Sequence, residues 1–191
     1  GRYFLTSAID APSNRFYWQI ALGTPTGATV GGGAFEDFHA KFPVDYFLAA
    51  GDTITVALQG SQSFMAVYGL VPDLEMYEDG GHPDGVPDMD YVFGNDTDNS
   101  IINRTGGGSG QPSTPHLANE AETVVLYHWN EGQDKVTDID VFFWKDASSS
   151  DTAFLFDKTG VTIGSHSYLP DTGVLAQAPF PAQAPAGHSH Q

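Results

Sequence analysis

Two apolar runs joined by a short polar link constrain this chain most: "VVLYHW" at Val124–Trp129 and "DVFFW" at Asp140–Trp144, within "VVLYHWNEGQDKVTDIDVFFW". β-branched and aromatic residues fit a pleated, half-buried surface, and a Gly-containing polar link between two such runs reads as a hairpin. The stretch predicts two antiparallel strands. It also gathers Asp134, Asp138 and Asp140, the residue type of acid–base and metal chemistry. Successive residues of a strand point to opposite faces. In a strand that includes Asp138–Trp144, Asp138 and Asp140 share a face with Phe142, and Ile139, Val141 and Phe143 line the other. The expectation is therefore that these aspartates form the wet side of a strand. Charge there discourages unwanted edge pairing, and a catalytic pair is not expected.

The rest of the chain supports the same class. Short β-rich runs recur, each ended by Gly, Pro, Asp or Asn. "GRYFLTSAI" (1–9) and "RFYWQIALG" (15–23) are predicted strands flanking the turn "DAPSN"; Thr53–Leu58 alternates Ile54, Val56 and Leu58 with smaller or polar residues. "SQSFMAVYGL" (61–70) is the one short-helix candidate, with Phe64, Val67 and Tyr68 at i, i+3, i+4 and Ser61 placed to cap it. Residues 73–115 form a long, acidic, Gly- and Pro-rich loop region, a length that in a compact domain is functional, ion-stapled or mobile. "GTPTGATVGGGAF" (23–35) is a second, shorter loop. The tail "LAQAPFPAQAPAGHSHQ" (175–191) is Pro/Ala-rich and reads as an extended, polyproline-like segment. One domain over 1–174 plus that tail is the expected organisation, since 191 residues bury one core well and two poorly.

Composition excludes several functions. Seven Lys+Arg against 24 Asp+Glu give a net charge of −17, a field that repels nucleic acid and anionic lipid. Cysteine is absent, so neither disulfides nor thiolate chemistry enter. No apolar run approaches the roughly 20 residues of a membrane span. Few lysines and much Thr, Ser, Gly and Asn suit an extracellular or cell-surface protein, and the start at Gly1 without Met is expected from a processed or longer product.

The segments "VVLYHW…DKVTDIDVFFW", "DKTGV" (157–161) and "YLPDT" (168–172), preceded in order by "FEDFHAKFP", "AAGDTITVAL", "VYGLVPDLEMYEDG" and "GVPDM", resemble bacterial lamin-tail-type domains of secreted and surface proteins. The resemblance spans most of 3–172. It implies an all-β, immunoglobulin-like β-sandwich, here short of the apolar strand pair with which such domains open. A sandwich lacking its first strands leaves an exposed sheet edge, and an open edge pairs with another chain.

Candidate sites divide by their chemistry. "EDGGHPDGVPDMD" places Asp79, Asp84, Asp88 and Asp90 within twelve residues of a bending loop. Calcium takes about six to eight oxygens from such carboxylates and nearby carbonyls, so calcium is the candidate ion. Turn chemistry in a solvated acidic loop accounts for the same residues. Asn95 ("NDT") and Asn103 ("NRT") are glycosylation sequons in the long loop. Seven histidines are scattered without the spacing of a zinc site, and "HSH" at 188–190 is at most a weak metal catch. Tyr17, Trp18, Tyr46 and Phe47 are either a glycan-stacking platform or part of the core or of a subunit contact.

The expected function is structural and non-enzymatic. The chain reads as a subunit or module of an extracellular filament, sheath or surface layer, self-associating into a homopolymer through strand edges and the tail. The alternative is a calcium-dependent adhesion or carbohydrate-binding module of a larger secreted protein, with glycans as partners. A third reading is an accessory domain of a secreted hydrolase.

Overall fold

The computed structural model describes residues 2–12, 14–22, 37–58, 60–76, 84–91, 117–118, 120–146 and 148–180. In chain order the strands are β1 (Tyr3–Thr6), β2 (Ile9–Asp10), β3 (Arg15–Phe16), β4 (His39–Lys41), β5 (Val56–Ala57), β6 (Leu74–Glu75), β7 (Asp90–Tyr91), β8 (Ala121–Trp129), β9 (Val136–Lys145), β10 (Thr162–Ile163) and β11 (His166–Ser167). A single α-helix among the described residues, α1 (Ser61–Tyr68), interrupts them. The described residues are mostly strand with few helices, compatible with an all-β fold. Its main sheet is five-stranded and antiparallel, ordered β7-β4-β1-β8-β9. Three two-stranded pieces, β2–β3, β5–β6 and β10–β11, pack around it. The predicted hairpin is β8–β9, the longest pairing in the fold.

Alternation in β1 and β8 explains why the sheet is covered on both sides. Phe4 and Val125 enter one apolar cluster with Tyr17, Trp18, Tyr127, Trp129, Val136 and Phe156. Their neighbours Leu5 and Val124 pack on a second cluster built from Phe38, Ala40, Leu74, Met76 and Met89. The first cluster is aromatic: Phe4 stacks on Tyr127 with ring centres 4.8 Å apart, and Tyr17 meets Tyr127 at 5.1 Å. Burying rings of this size contributes about 2–3 kcal/mol each, with a smaller increment from their geometry.

Three sequence expectations change. Residues 15–23 are a strand only at Arg15–Phe16; Tyr17–Leu22 is a 3-10 helix. A strand would send Tyr17 and Trp18 to opposite faces, whereas the 3-10 turn puts both, with Ile20, into one core. Within 73–115, a region read as loop, Leu74–Glu75 and Asp90–Tyr91 are strands, and Leu74, Met76 and Met89 are fully buried. Short apolar anchors set in an acidic background lack a periodic signature. Finally, Ser61 is the first helical residue rather than the cap of α1. Its N–H donates to Glu75 Oε2 at 2.6 Å, so a buried side chain from β6 satisfies a free N–H of the first turn. Val67 and Tyr68 of the predicted apolar face remain exposed.

β9 is an edge strand, and the start of the tail covers part of it. Phe180 N–H donates to Phe143 O at 3.1 Å, Lys145 N–H donates to Phe180 O at 3.2 Å, and the Phe142 and Phe180 rings lie 4.9 Å apart. The bridge between Trp144 and Phe180 is parallel.

Candidate functional site

The site is created by a slip in β9. Leu126 faces Asp140 and the next residue, Tyr127, faces Asp138, leaving Ile139 as the extra residue of a β-bulge. The alternation therefore reverses at that point. Before it, Val136 and Asp138 face the aromatic core; after it, Val141 packs on that core and Phe143 on a third cluster of Ala121, Phe154 and Leu155, opposite Val125 and Thr123. Ile139 is turned out and 52% exposed. The wet-face expectation for Asp138 is thus overturned, while Asp140 is exposed as expected.

Asp138 meets a buried lysine. Lys158 follows the buried run Phe154–Phe156 and opens a β-turn in which Val161 N–H donates to Lys158 O at 3.0 Å. Gly160 takes φ +78° at the third turn position, where a positive φ is needed. Asp157 accepts the Thr159 N–H at 2.7 Å and holds the turn from outside. Lys158 points inward and is only 7% exposed. Its Nζ is ion-paired with Asp138 Oδ2 and donates to Tyr17 Oη at 3.3 Å. Tyr17 Oη in turn donates to Asp138 Oδ1 at 2.7 Å. Around the ammonium stand the rings of Tyr168, Tyr17, Phe156 and Trp18, with centres 5.3, 5.6, 5.7 and 5.9 Å away, an arrangement favourable to a cation.

The surrounding phenols are kept protonated. Burial first, and the negative Asp138 second, push Tyr17 and Tyr127 well above the usual tyrosine range. Burial also raises Tyr168, whose hydroxyl accepts the Val136 N–H at 3.0 Å. Tyr127 is hydrogen-bonded to the buried His39 across the sheet. Outside, a cavity of about 330 Å³ reaches Asp138 between Thr123, Val141, Phe143, Phe156 and Gln177. A larger open hollow of about 770 Å³ lies between Ala11–Pro12 and 148–153. Its carboxylates Glu120 and Asp151 are exposed, so the built chemistry is at Asp138.

The other predicted residues do not join this site. Asp134 accepts from both the N–H and Oγ of Ser165, at 2.7 and 2.8 Å, and so ties the β8–β9 turn to the β10–β11 turn; those two bonds lower its pKa. Asp84 accepts from Ser61 Oγ and from the Val86 N–H at 2.8 Å. Asp88 bridges Glu75 through its backbone, and Asp90 faces Lys41 at 3.8 Å. Asp79, Asn95 and Asn103 lie outside the described residues. Among the described residues no three His, Asp or Glu side chains converge as a metal site. Tyr17 and Trp18 are core, Tyr46 packs on the second cluster, and Phe47 is 83% exposed.

Sequence reasoning missed Lys158, and it read Tyr17 only as core or a stacking ring, not as a hydroxyl donor to Asp138. The available signal was "FLFDKTGV", a cation set directly against an apolar run in a chain with few cations. Among the described residues no helix is long and apolar enough to cross a membrane. No family model matches this sequence, and no curated protein or solved structure matches it significantly.

Proposed function

We propose that this chain is a non-enzymatic structural module of an extracellular or cell-surface assembly, built on a lamin-tail-type, immunoglobulin-like β-sandwich. The observation that carries the reading is the single parallel bridge that Phe180 of the tail makes to Trp144 on the β9 edge. Backbone hydrogen bonds of that kind form equally well between chains. A tail released from its own β9 and placed on a neighbour's gives a head-to-tail contact that propagates. Few lysines with much Thr, Ser, Gly and Asn support an extracellular setting, and the charge of −17 disfavours nucleic acid as a partner. The Lys158 side chain, enclosed by rings and already engaged by Asp138, supports a structural use of the site over turnover of a substrate.

Sedimentation and electron microscopy of the full chain over rising concentration test the proposal. Oligomers or filaments that are lost in Phe180→Asp support it. A monomer at every concentration overturns it.

A further inference from the structure

We infer that Asp138 and Lys158 condense to form an intramolecular amide, a covalent crosslink between β9 and the 157–160 turn. The inference is independent of the assembly reading, because it follows from the cage alone. Three conditions for such a bond meet at one place. A nucleophilic nitrogen touches a carboxyl oxygen, since Nζ is in direct contact with Asp138 Oδ2. Water is displaced, because four aromatic rings surround Nζ and the Lys158 side chain is 9% exposed. A hydrogen-bond donor is already fixed on the other carboxyl oxygen, Tyr17 Oη on Oδ1 at 2.7 Å.

The chemistry balances with these groups alone. One proton passes from the ammonium to the carboxylate, giving amine and acid. The Nζ lone pair then attacks Cγ, and negative charge develops on Oδ1, where the Tyr17 hydroxyl holds it as an oxyanion-hole donor does. The Nζ–Cγ bond forms and the Cγ–Oδ2 bond breaks. Oδ2 departs as water, carrying two of the three protons that began on the ammonium, and the third stays on the amide nitrogen. Tyr17 Oη contacts both Nζ and Oδ1, so it can relay a proton without a net change of its own state. The fixed contact supplies the proximity that makes an intramolecular condensation fast, and the cavity beside Asp138 gives the released water an exit. Neither a metal nor an oxidant enters the balance.

A structural ion pair would leave the chain at its full mass, which makes the test direct. Intact-mass measurement of the purified full chain is expected to read one water lighter than the sequence. Trypsin, cutting after Lys135 and Lys145, should release 136–145 still joined to the segment containing Lys158. Lys158→Arg and Asp138→Ala should each restore the full mass. Loss of the crosslink should lower the melting temperature by about 10 °C, from the loop it closes. Tyr17→Phe keeps the ring and removes only the hydroxyl, so it should yield a mixture whose linked fraction grows with incubation. Complete linkage at the first time point in that variant overturns the role given to Tyr17. A wild-type chain that keeps its full mass after prolonged incubation at neutral pH overturns the crosslink itself, whatever the variants show.

Discussion

Replacing Glu122 with glutamine should stabilise the protein at alkaline pH and not at acid pH. Glu122 lies on β8 with 8% exposure, its Oε2 accepting the Ala118 N–H at 3.3 Å and its Oε1 the Thr123 N–H at 3.0 Å. Burial outweighs these two bonds and, with a smaller push from Asp151, raises the carboxyl from its ordinary 4.5 to about 7. Below pH 4.5 the acid is protonated folded and unfolded, and its contribution to stability is fully present. Between 4.5 and about 7 the unfolded chain ionises while the folded one holds its proton, so stability falls as pH rises. The difference between 4.5 and about 7 corresponds to about 3 kcal/mol lost by pH 8. An amide at this position carries no such penalty, though it keeps one acceptor where the carboxylate has two and gives back about 1 kcal/mol. Urea denaturation of both proteins at pH 5 and pH 8 isolates the effect, because the other carboxylates are common to both. The stability of Glu122→Gln relative to wild type should rise by about 2–3 kcal/mol between the two pH values. A difference that does not change with pH would mean that Glu122 is already ionised in the folded protein, and the burial argument would be wrong.

Other substitutions probe separate features. Gly164 has φ +53°, and a Cβ there would collide with the Asp134 carboxylate; Gly164→Ala should cost at least about 1–2 kcal/mol from its backbone alone, and an unchanged urea midpoint would refute the docking of the two turns. Glu75→Leu removes the acceptor of the Ser61 N–H at the start of α1 and should cost about 1–3 kcal/mol, with loss of helical circular dichroism preceding global unfolding. Asp84, Asp88 and Asp90 each face different partners, so millimolar calcium should leave the melting temperature unchanged. A clear rise would instead establish the acidic loop as a calcium site.

The hairpin was legible because β8 and β9 combine long β-branched and aromatic runs with a Gly-containing link. Its interior was not, because a bulge is one extra residue, and "TDIDVFFW" reads equally well in either parity. Parity counted back from Phe143 puts Asp138 in water; the structure restarts the count at Ile139. The Tyr17–Leu22 turn was hidden for a related reason: consecutive large apolar residues suit a strand buried on both faces and a 3-10 turn buried on one. Lys158 could not be paired with Asp138 from local pattern at all. They stand 20 residues apart, and β10, β11 and the 3-10 helix must all be in place before the cage exists.

Given the Asp138–Lys158 amide, the Ile139 bulge would also serve the fold as a means of proofreading. A hairpin zipped in the regular register, one residue off beyond the turn, would bury much the same apolar surface but leave Asp138 pointing away from Lys158. Such a chain could not complete the amide. Correct and slipped molecules would then differ permanently in mass, and only the former would be locked. Threading accuracy, normally erased once a protein is purified, would be written into its covalent structure.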